Sequence, residues 1–169
     1  MALKTYIDSG VLISAVRGGN ERWPHGATVS DVALSFLYDP LREYVTSDYV
    51  KVEILPRCMF HGNTAEQRFY EDFFRRSSTH VPSSDALLEF AIEEGGKTGI
   101  AGMDAIHVAA AVVASAEELI TGERPEKLIN QAKGLRVISI RPPKPIDNRL
   151  MTRIRKALKA KLRHLADRL

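Results

Sequence analysis

Cysteine is nearly absent from this chain of 169 residues, and its single cysteine, Cys58, cannot form an internal disulfide. Nothing in the sequence therefore ties the protein to an oxidising compartment. No set of Cys and His has the spacing of a metal site, and no apolar run is long enough to span a membrane. We expect a cytoplasmic protein whose first residues enter a strand and do not form a signal peptide.

The motifs of several enzyme classes are also missing. There is no internal repeat, no glycine-rich phosphate loop, no nucleophile elbow and no local spacing of Ser, His and Asp that indicates a triad. Aromatic residues make up only 7% of the chain. Hydrophobic residues make up 44% and charged residues 27%, which is typical of one soluble domain with a sizeable core.

Charge is distributed unevenly along the chain. Residues 141–169 contain ten Lys or Arg and two Asp, whereas residues 1–140 contain 14 basic and 19 acidic residues. The net charge is therefore +8 in the first of these segments and −5 in the second, although the whole chain has only +3. An acidic body with a basic tail indicates two binding roles, one for cations and one for an anionic polymer or surface.

Strands and helices alternate through the first 140 residues, which predicts an α/β fold with a mainly parallel sheet. Strands are predicted at 4–8, 43–46, 79–81, 117–121 and 135–140. Helices are predicted at 11–16, 27–38, 64–76 and 83–94, and also from residues 47 and 103 onward. We therefore assign a domain to residues 1–140.

The remaining residues, 141–169, form a predicted linker and tail. Three prolines between positions 142 and 145 mark a stiff linker. Beyond it, Leu or Ile recurs at positions 150, 154, 158, 162, 165 and 169, which predicts a basic amphipathic helix. Its cations, including Arg153, Arg155, Lys156 and Lys159, could bind nucleic-acid phosphates. The more favoured alternative is that its leucine face packs on its own domain or on a second subunit. A membrane-surface helix is a third alternative.

Four acidic residues stand at or near the ends of predicted elements. Asp8 follows the first strand, Glu53 lies within an apolar run on the helix after the second strand, Asp104 begins a late helix, and Glu123 follows a late strand. Helix capping and solvent exposure are the simpler explanations for each residue taken alone. Because parallel strands end at the same edge of a sheet, however, we expect all four to meet there.

Such a cluster of acids predicts a metal site. Carboxylates held together raise one another's pKa unless a cation neutralises them. Ligand sets made only of oxygen favour Mg²⁺ or Mn²⁺. One or two such ions, about 3.5–4 Å apart in two-metal sites, can activate a water for hydrolysis of a phosphodiester. The sequence therefore predicts hydrolysis of a nucleic-acid backbone.

The segments that carry these acids resemble the four acidic motifs of PIN-domain proteins, and most closely those of VapC-type toxin ribonucleases and their stand-alone relatives. They are residues 5–11 (TYIDSGV), 47–57 (SDYVKVEILPR), 102–109 (GMDAIHVA) and 119–123 (LITGE). The resemblance covers residues 3–140. It implies a three-layer α/β/α sandwich, a Mg²⁺- or Mn²⁺-dependent endoribonuclease acting on RNA, frequent homodimers and a small antitoxin partner.

The resemblance also implies roles for single residues. Asp8, Glu53 and Asp104 match the three core acids of the family. Glu123 stands where the family most often has Asp, and its extra methylene could shift or remove a second metal ion. The polar side chains Ser9 and Thr121 match positions that support the site.

His107 and the reaction itself leave alternatives open. His107 follows Asp104 by one helical turn and either faces the site or, as is more usual for such a His, is a hydrogen-bonded core residue. Because of Glu123, the alternative to a ribonuclease is a catalytically degenerate PIN module that binds nucleic acid or a protein partner without cleavage. Cleavage of DNA is a third reading.

Overall fold

Five parallel strands form the central sheet of the computed structural model, which describes residues 2–145 and Lys156. The strands are β1 (Leu3–Ile7), β2 (Arg42–Ser47), β3 (Thr79–Val81), β4 (Glu118–Thr121) and β5 (Arg136–Ser139). Their order across the sheet is β3-β2-β1-β4-β5, and every neighbouring pair is parallel. The predicted mainly parallel sheet is therefore confirmed.

Six helices cover the two faces of this sheet. They are α1 (Ser9–Arg17), α2 (Val29–Leu37), α3 (Asp48–Phe60), α4 (Thr64–Arg76), α5 (Asp85–Thr98) and α6 (Met103–Val113). Helix α1 contacts α2, α3 and α4, and α3 contacts α4, whereas α5 packs on α6, which also contacts α3. This grouping follows from right-handed crossovers, because the chain runs from β1 towards β3 and then returns across the sheet to β4 and β5. The predicted α/β/α sandwich is confirmed.

The middle strand β1 lies between two layers of helices and is correspondingly apolar. Tyr6 pairs with Val45 on β2 and with Leu119 on β4, and all three side chains have no exposed surface. A strand that is buried on both faces needs apolar side chains pointing in both directions, which is typical of parallel sheets.

Two strands run directly into the caps of the helices that follow them. Asp8, just after β1, is the N-cap of α1, and Ser47, the last residue of β2, is the N-cap of α3. Each side-chain oxygen accepts a hydrogen bond from a backbone amide of the first turn, which satisfies a donor that the helix itself leaves free. The starts of α1 and α3 are thereby fixed at the carboxyl edge of the sheet.

The structure differs from the sequence prediction at two places near α6. Helix α5 continues to Thr98, past the predicted end at 94, although Gly95 and Gly96 favour an earlier end. Gly95 is accommodated because α5 closely approaches the following loop: an added Cβ there would lie 2.5 Å from the carbonyl oxygen of Ile100. A short 3-10 turn, Leu128–Gln131, was also not predicted.

The predicted tail helix lies outside the described residues, apart from the exposed Lys156. Arg153, Arg155 and Lys159 lie outside them as well. Within the described part of the chain, none of the helices combines the length and the apolar character needed to cross a lipid bilayer.

Candidate active site

A cleft of about 220 Å³ lies at the carboxyl edge of the sheet, and all four predicted acids line it. Asp8 comes from the end of β1, Glu53 from α3, Asp104 from the first turn of α6, and Glu123 from the turn after β4. Four other polar side chains, those of Ser9, Ser14, His107 and Arg141, also line it. Four separate parts of the chain thus bring carboxylates to one depression.

Asp8 is the most buried of the four acids, with 4% of its surface exposed. Its Oδ1 accepts a hydrogen bond from the amide of Gly10 at 2.5 Å, and its Oδ2 accepts one from the amide of Gly122 at 3.2 Å. The carboxylate therefore joins the start of α1 to the turn after β4, and it enters the cleft with its orientation fixed.

Close contact between two glycines makes this arrangement possible. A Cβ added to Gly122 would lie 2.7 Å from the Cα and from the carbonyl carbon of Gly10. Atoms of this kind do not approach so closely, so that only glycine fits at position 122 without moving the backbone. This contact holds the start of α1 against the turn that carries Glu123.

Glu53 is held by a chain of hydrogen bonds that begins in the core. Its Oε2 lies 2.8 Å from Nε2 of His107. Nδ1 of the same ring lies 3.0 Å from the Tyr6 hydroxyl, which in turn lies 2.8 Å from Oγ of Ser47. Because a carboxylate only accepts hydrogen bonds, Nε2 carries a proton and donates it to Glu53. His107 is therefore both a buried, hydrogen-bonded residue and part of the cleft wall.

The pairing of Glu53 with His107 favours the charged form of both groups. Burial alone would raise the pKa of Glu53, but the hydrogen bond and charge of His107, with a smaller contribution from Ser9, lower it below its usual value. Burial would lower the pKa of His107, but its hydrogen bond to Glu53 and the charges of Asp8 and Asp104 raise it above the usual 6.5. Burial also raises the pKa of the Tyr6 hydroxyl, which therefore stays protonated.

Asp104 is partly buried in the cleft beside two other acids. Burial raises the pKa of its carboxyl group, and the charges of Glu123 and Asp8 raise it further. The N-cap of α6 is Gly102, which has no side chain with which to cap the helix. The charges of His107 and Lys127 oppose the rise in the pKa of Asp104 but do not cancel it, so that a bound cation would favour the charged form of Asp104.

The carboxylates share the cleft but do not form a ready metal site. Among the described residues, no three His, Cys, Asp or Glu side chains are arranged so that they could hold one ion. Asp8 is bonded to two backbone amides and Glu53 to His107. A bound cation would have to draw these side chains towards one point. The roles of all four acids in metal binding and catalysis stay predictions.

The two supporting residues occupy different positions. Ser9 lines the cleft, directly after Asp8. Thr121 is fully buried at the end of β4, where its Oγ1 accepts a hydrogen bond from the amide of Glu123 at 3.0 Å. Thr121 therefore shapes the turn that carries Glu123 and is not part of the cleft lining.

Arg141 is the residue of the cleft that sequence reasoning missed. Its Nε donates to the carbonyl oxygen of Gly122 at 2.6 Å, and its guanidinium binds Glu21 at 2.8 Å. Glu21 also pairs with Arg124. A signal was present, because Arg141 closely follows β5 and strand ends gather at this edge. The sequence does not separate Arg141 from the linker, because two of the three prolines of that linker, Pro142 and Pro143, follow it directly.

Three solved structures share this fold. A chain of VapBC2 from Rickettsia felis, bound to a DNA fragment from its promoter, matches with a TM-score of 0.57 and 12% identity over 81% of this chain and 98% of that chain. A chain of a toxin–antitoxin complex from Klebsiella pneumoniae matches with a TM-score of 0.56 and 18% identity over 80% of this chain and 97% of that chain.

The third structure is PAE2754 from Pyrobaculum aerophilum. It matches with a TM-score of 0.51 and 14% identity over 83% of this chain and 92% of that chain. No protein-family model and no curated protein matches the sequence. At these identities the likeness concerns the fold. The chain therefore has a PIN-like fold of the kind found in VapBC toxin–antitoxin structures, as its four acidic segments predict.

Proposed function

We propose that this protein is a divalent-metal-dependent endoribonuclease that hydrolyses RNA phosphodiester bonds in the cleft at the carboxyl edge of the sheet. The observation that carries the proposal is the meeting of Asp8, Glu53, Asp104 and Glu123 in one cleft of a PIN-like fold. Because two of the similar structures contain toxin–antitoxin pairs, we extend the proposal to a toxin with a small antitoxin partner. The homodimer, the cytoplasmic location and the domain boundary at residue 140 stay predictions.

The chemistry of the cleft suits Mg²⁺ or Mn²⁺. Its acidic side chains offer oxygen ligands, which these hard cations prefer. The pKa of Asp104 is raised by burial and, to a smaller extent, by the charges of Glu123 and Asp8, which a cation would neutralise. We assign Asp8, Glu53 and Asp104 to the ion, and Glu123 to a second ion or to the attacking water. When bound, such an ion supplies an activated water and stabilises the charge that develops on the phosphate.

The remaining side chains position these groups. His107 donates a hydrogen bond to Glu53, and Tyr6 and Ser47 hold the ring from the core side. The hydrogen bond from His107 thereby keeps the Glu53 carboxylate ionised and fixes its orientation. Thr121 fixes the turn that bears Glu123. Hydrogen-bond partners of this second layer commonly determine metal affinity as strongly as the ligands' own geometry.

Cleavage should depend on the metal. We expect the full chain to cut single-stranded RNA in the presence of Mg²⁺ or Mn²⁺, to stop when EDTA is added, and to resume when metal is restored. The measurement is gel analysis of a labelled RNA, with single-stranded DNA of the same sequence as a comparison. RNA binding without cleavage at any metal concentration would instead support a catalytically degenerate module. That alternative stands because Glu123 has a longer side chain than the Asp usual at this position in the family.

Arg141 is proposed to contact the substrate phosphate. An acidic cleft repels a polyanion, and Arg141 is the basic side chain of its lining. Its side chain is 37% exposed, and its guanidinium is held by Glu21 and by the Gly122 carbonyl. Arg is suited to this task because its planar group binds phosphate through two parallel hydrogen bonds.

Arg141→Ala should raise KM for RNA about tenfold, because a hydrogen bond to a charged group contributes roughly 1.5–3 kcal/mol. The slope of log affinity against log salt should fall by about one as well, since one phosphate contact is lost. Initial rates and binding at several salt concentrations measure both effects. Arg136→Ala is the matched control: Arg136 is at the opposite end of β5 and is 72% exposed. Equal effects of the two substitutions would exclude a specific contact at Arg141.

A further inference from the structure

An apolar groove of about 460 Å³ lies between α5 and α6, separate from the acidic cleft. Apolar side chains and glycines form it, including Leu88, Ala91, Ile92, Ala101 and Ile106. Ile92, one of these lining residues, is 76% exposed. A continuous apolar patch on a soluble protein usually marks a binding surface.

We infer that the groove is covered by the chain's own C-terminal segment, residues 146–169, whose apolar stripe lies along it with the basic side chains outward. This inference is independent of the proposed ribonuclease activity. Three features favour this occupant: the place of the last residues before the segment, the length of the segment, and the charges on the two surfaces.

The continuous described chain, which ends at Pro145, contacts a segment that also contacts the groove. The amide of Lys144 donates to Oε1 of Glu126 at 2.6 Å, which fixes the chain end against the segment after β4. Leu128, two residues after Glu126, lies next to Gly99, which lines the groove. A Cβ added to Gly99 would be 3.6 Å from Cδ1 of Leu128. The five residues that follow Pro145, up to Leu150, can span up to about 17 Å when extended, so that the stripe can begin well away from the last described residue.

The length of the segment also fits. Helix α5, which forms one wall, has 14 residues, or about 21 Å at 1.5 Å per residue. The apolar stripe predicted from the sequence runs from position 150 to 169, which corresponds to about 30 Å of helix. The segment is therefore long enough to cover the groove along the whole of α5.

Charge favours the tail over a second copy of the domain. Helix α5 carries Asp85, Glu89, Glu93 and Glu94 against a single cation, Lys97, which already binds two of these acids. Residues 146–169 contain eight Lys or Arg and two Asp. A symmetric dimer through the groove would place one acidic α5 beside another, whereas the tail places cations there.

Cysteine cross-linking in the full chain tests this inference. Ile92→Cys is combined in turn with Ile154→Cys, Leu158→Cys and Leu162→Cys, and each variant is treated with a short bismaleimide. Cys58 is retained because it is buried. Variants with only one of the two added cysteines measure any cross-linking that involves Cys58. Products are separated by size and identified by peptide mass.

Two control pairs test which side of the C-terminal segment meets the groove and whether the segment meets the groove rather than another surface of the domain. The pair Ile92→Cys with Lys156→Cys uses the opposite side of the predicted stripe. The pair Leu41→Cys with Leu158→Cys uses an exposed residue just before β2, at the other edge of the sheet.

We expect the stripe positions to give at least about tenfold more cross-linked monomer than either control pair, since docking raises the effective concentration of the two thiols. A cross-linked dimer as the main product would overturn the inference in favour of a second copy. Equal or negligible yields in all pairs would overturn it in favour of an undocked tail. Neither result depends on RNA or metal, so that a failure here leaves the proposed activity untouched.

Discussion

Asp104→Asn is expected to lower the rate of RNA cleavage by at least about 100-fold, because loss of a group that only supports a metal ligand already costs 10- to 100-fold. The substitution removes one negative charge from the cleft and keeps the shape of the side chain. Stability should change by less than about 1 kcal/mol, since the lost attraction to the start of α6 is offset by relief of repulsion from Glu123 and Asp8. Initial rates at saturating Mg²⁺ and urea unfolding measure the two quantities.

The matched control for this substitution is Asp72→Asn. Asp72 is an acid on α4 with 57% of its side chain exposed, and it should tolerate the change without loss of cleavage. Asp8→Asn is expected to lower cleavage to a similar extent but also to destabilise the fold by about 1–3 kcal/mol. Asn keeps one oxygen that can cap α1, but its NH2 group cannot accept the second of the two backbone hydrogen bonds, from Gly10 and Gly122, that Asp8 accepts. Cleavage by Asp104→Asn at the wild-type rate would show that the reaction does not use this carboxylate.

Gly122→Ala is expected to lower the free energy of unfolding by about 1–3 kcal/mol, the usual cost of forcing an extra methyl group into a packed site. The new Cβ would lie 2.7 Å from backbone atoms of Gly10, and backbone cannot rotate away as a flexible side chain can. Cleavage should fall too, because the amide of Gly122 is one of the two donors that orient Asp8. Urea unfolding followed by a cleavage assay under native conditions measures both losses.

Gly96→Ala is the matched control, and it is expected to stabilise the protein, whereas Gly122→Ala is expected to destabilise it. An added Cβ at Gly96 meets nothing within 4 Å, and the residue lies within α5. Alanine there should stabilise the protein by about 0.5–1 kcal/mol, because glycine in a helix loses more conformational freedom on folding.

If Gly122→Ala were as stable as the wild type, the contact between α1 and the turn after β4 would not be as close as the structure has it.

The fold was predictable because its signals are local. Short apolar segments alternate with helical ones, and Asp8 and Ser47 mark helix starts directly after strands. A parallel sheet then brings the strand ends to one edge, so that the meeting of four distant acids follows from topology alone. The sequence order of the elements was therefore enough to indicate where a site would lie.

The details of the cleft were not predictable because they depend on contacts between distant residues. His107 binds Glu53, which is 54 positions away, and Tyr6, which is 101 positions away. Arg141 is held by Glu21 across 120 positions. Neither helical periodicity nor capping preference carries information about such pairs. The same is true of the direction in which each carboxylate points, which decides whether one ion can bind them all.

The cap at the start of α1 has a consequence for descendants of this protein. The oxygen of Asp8 that begins the helix belongs to the same group that we assign to the ion. A lineage that gave up catalysis would still need an Asx or hydroxyl side chain at this position to begin α1. Retention of Asp8 in a relative would therefore be weak support for activity, whereas retention of Asp104, which performs no capping, would be much stronger.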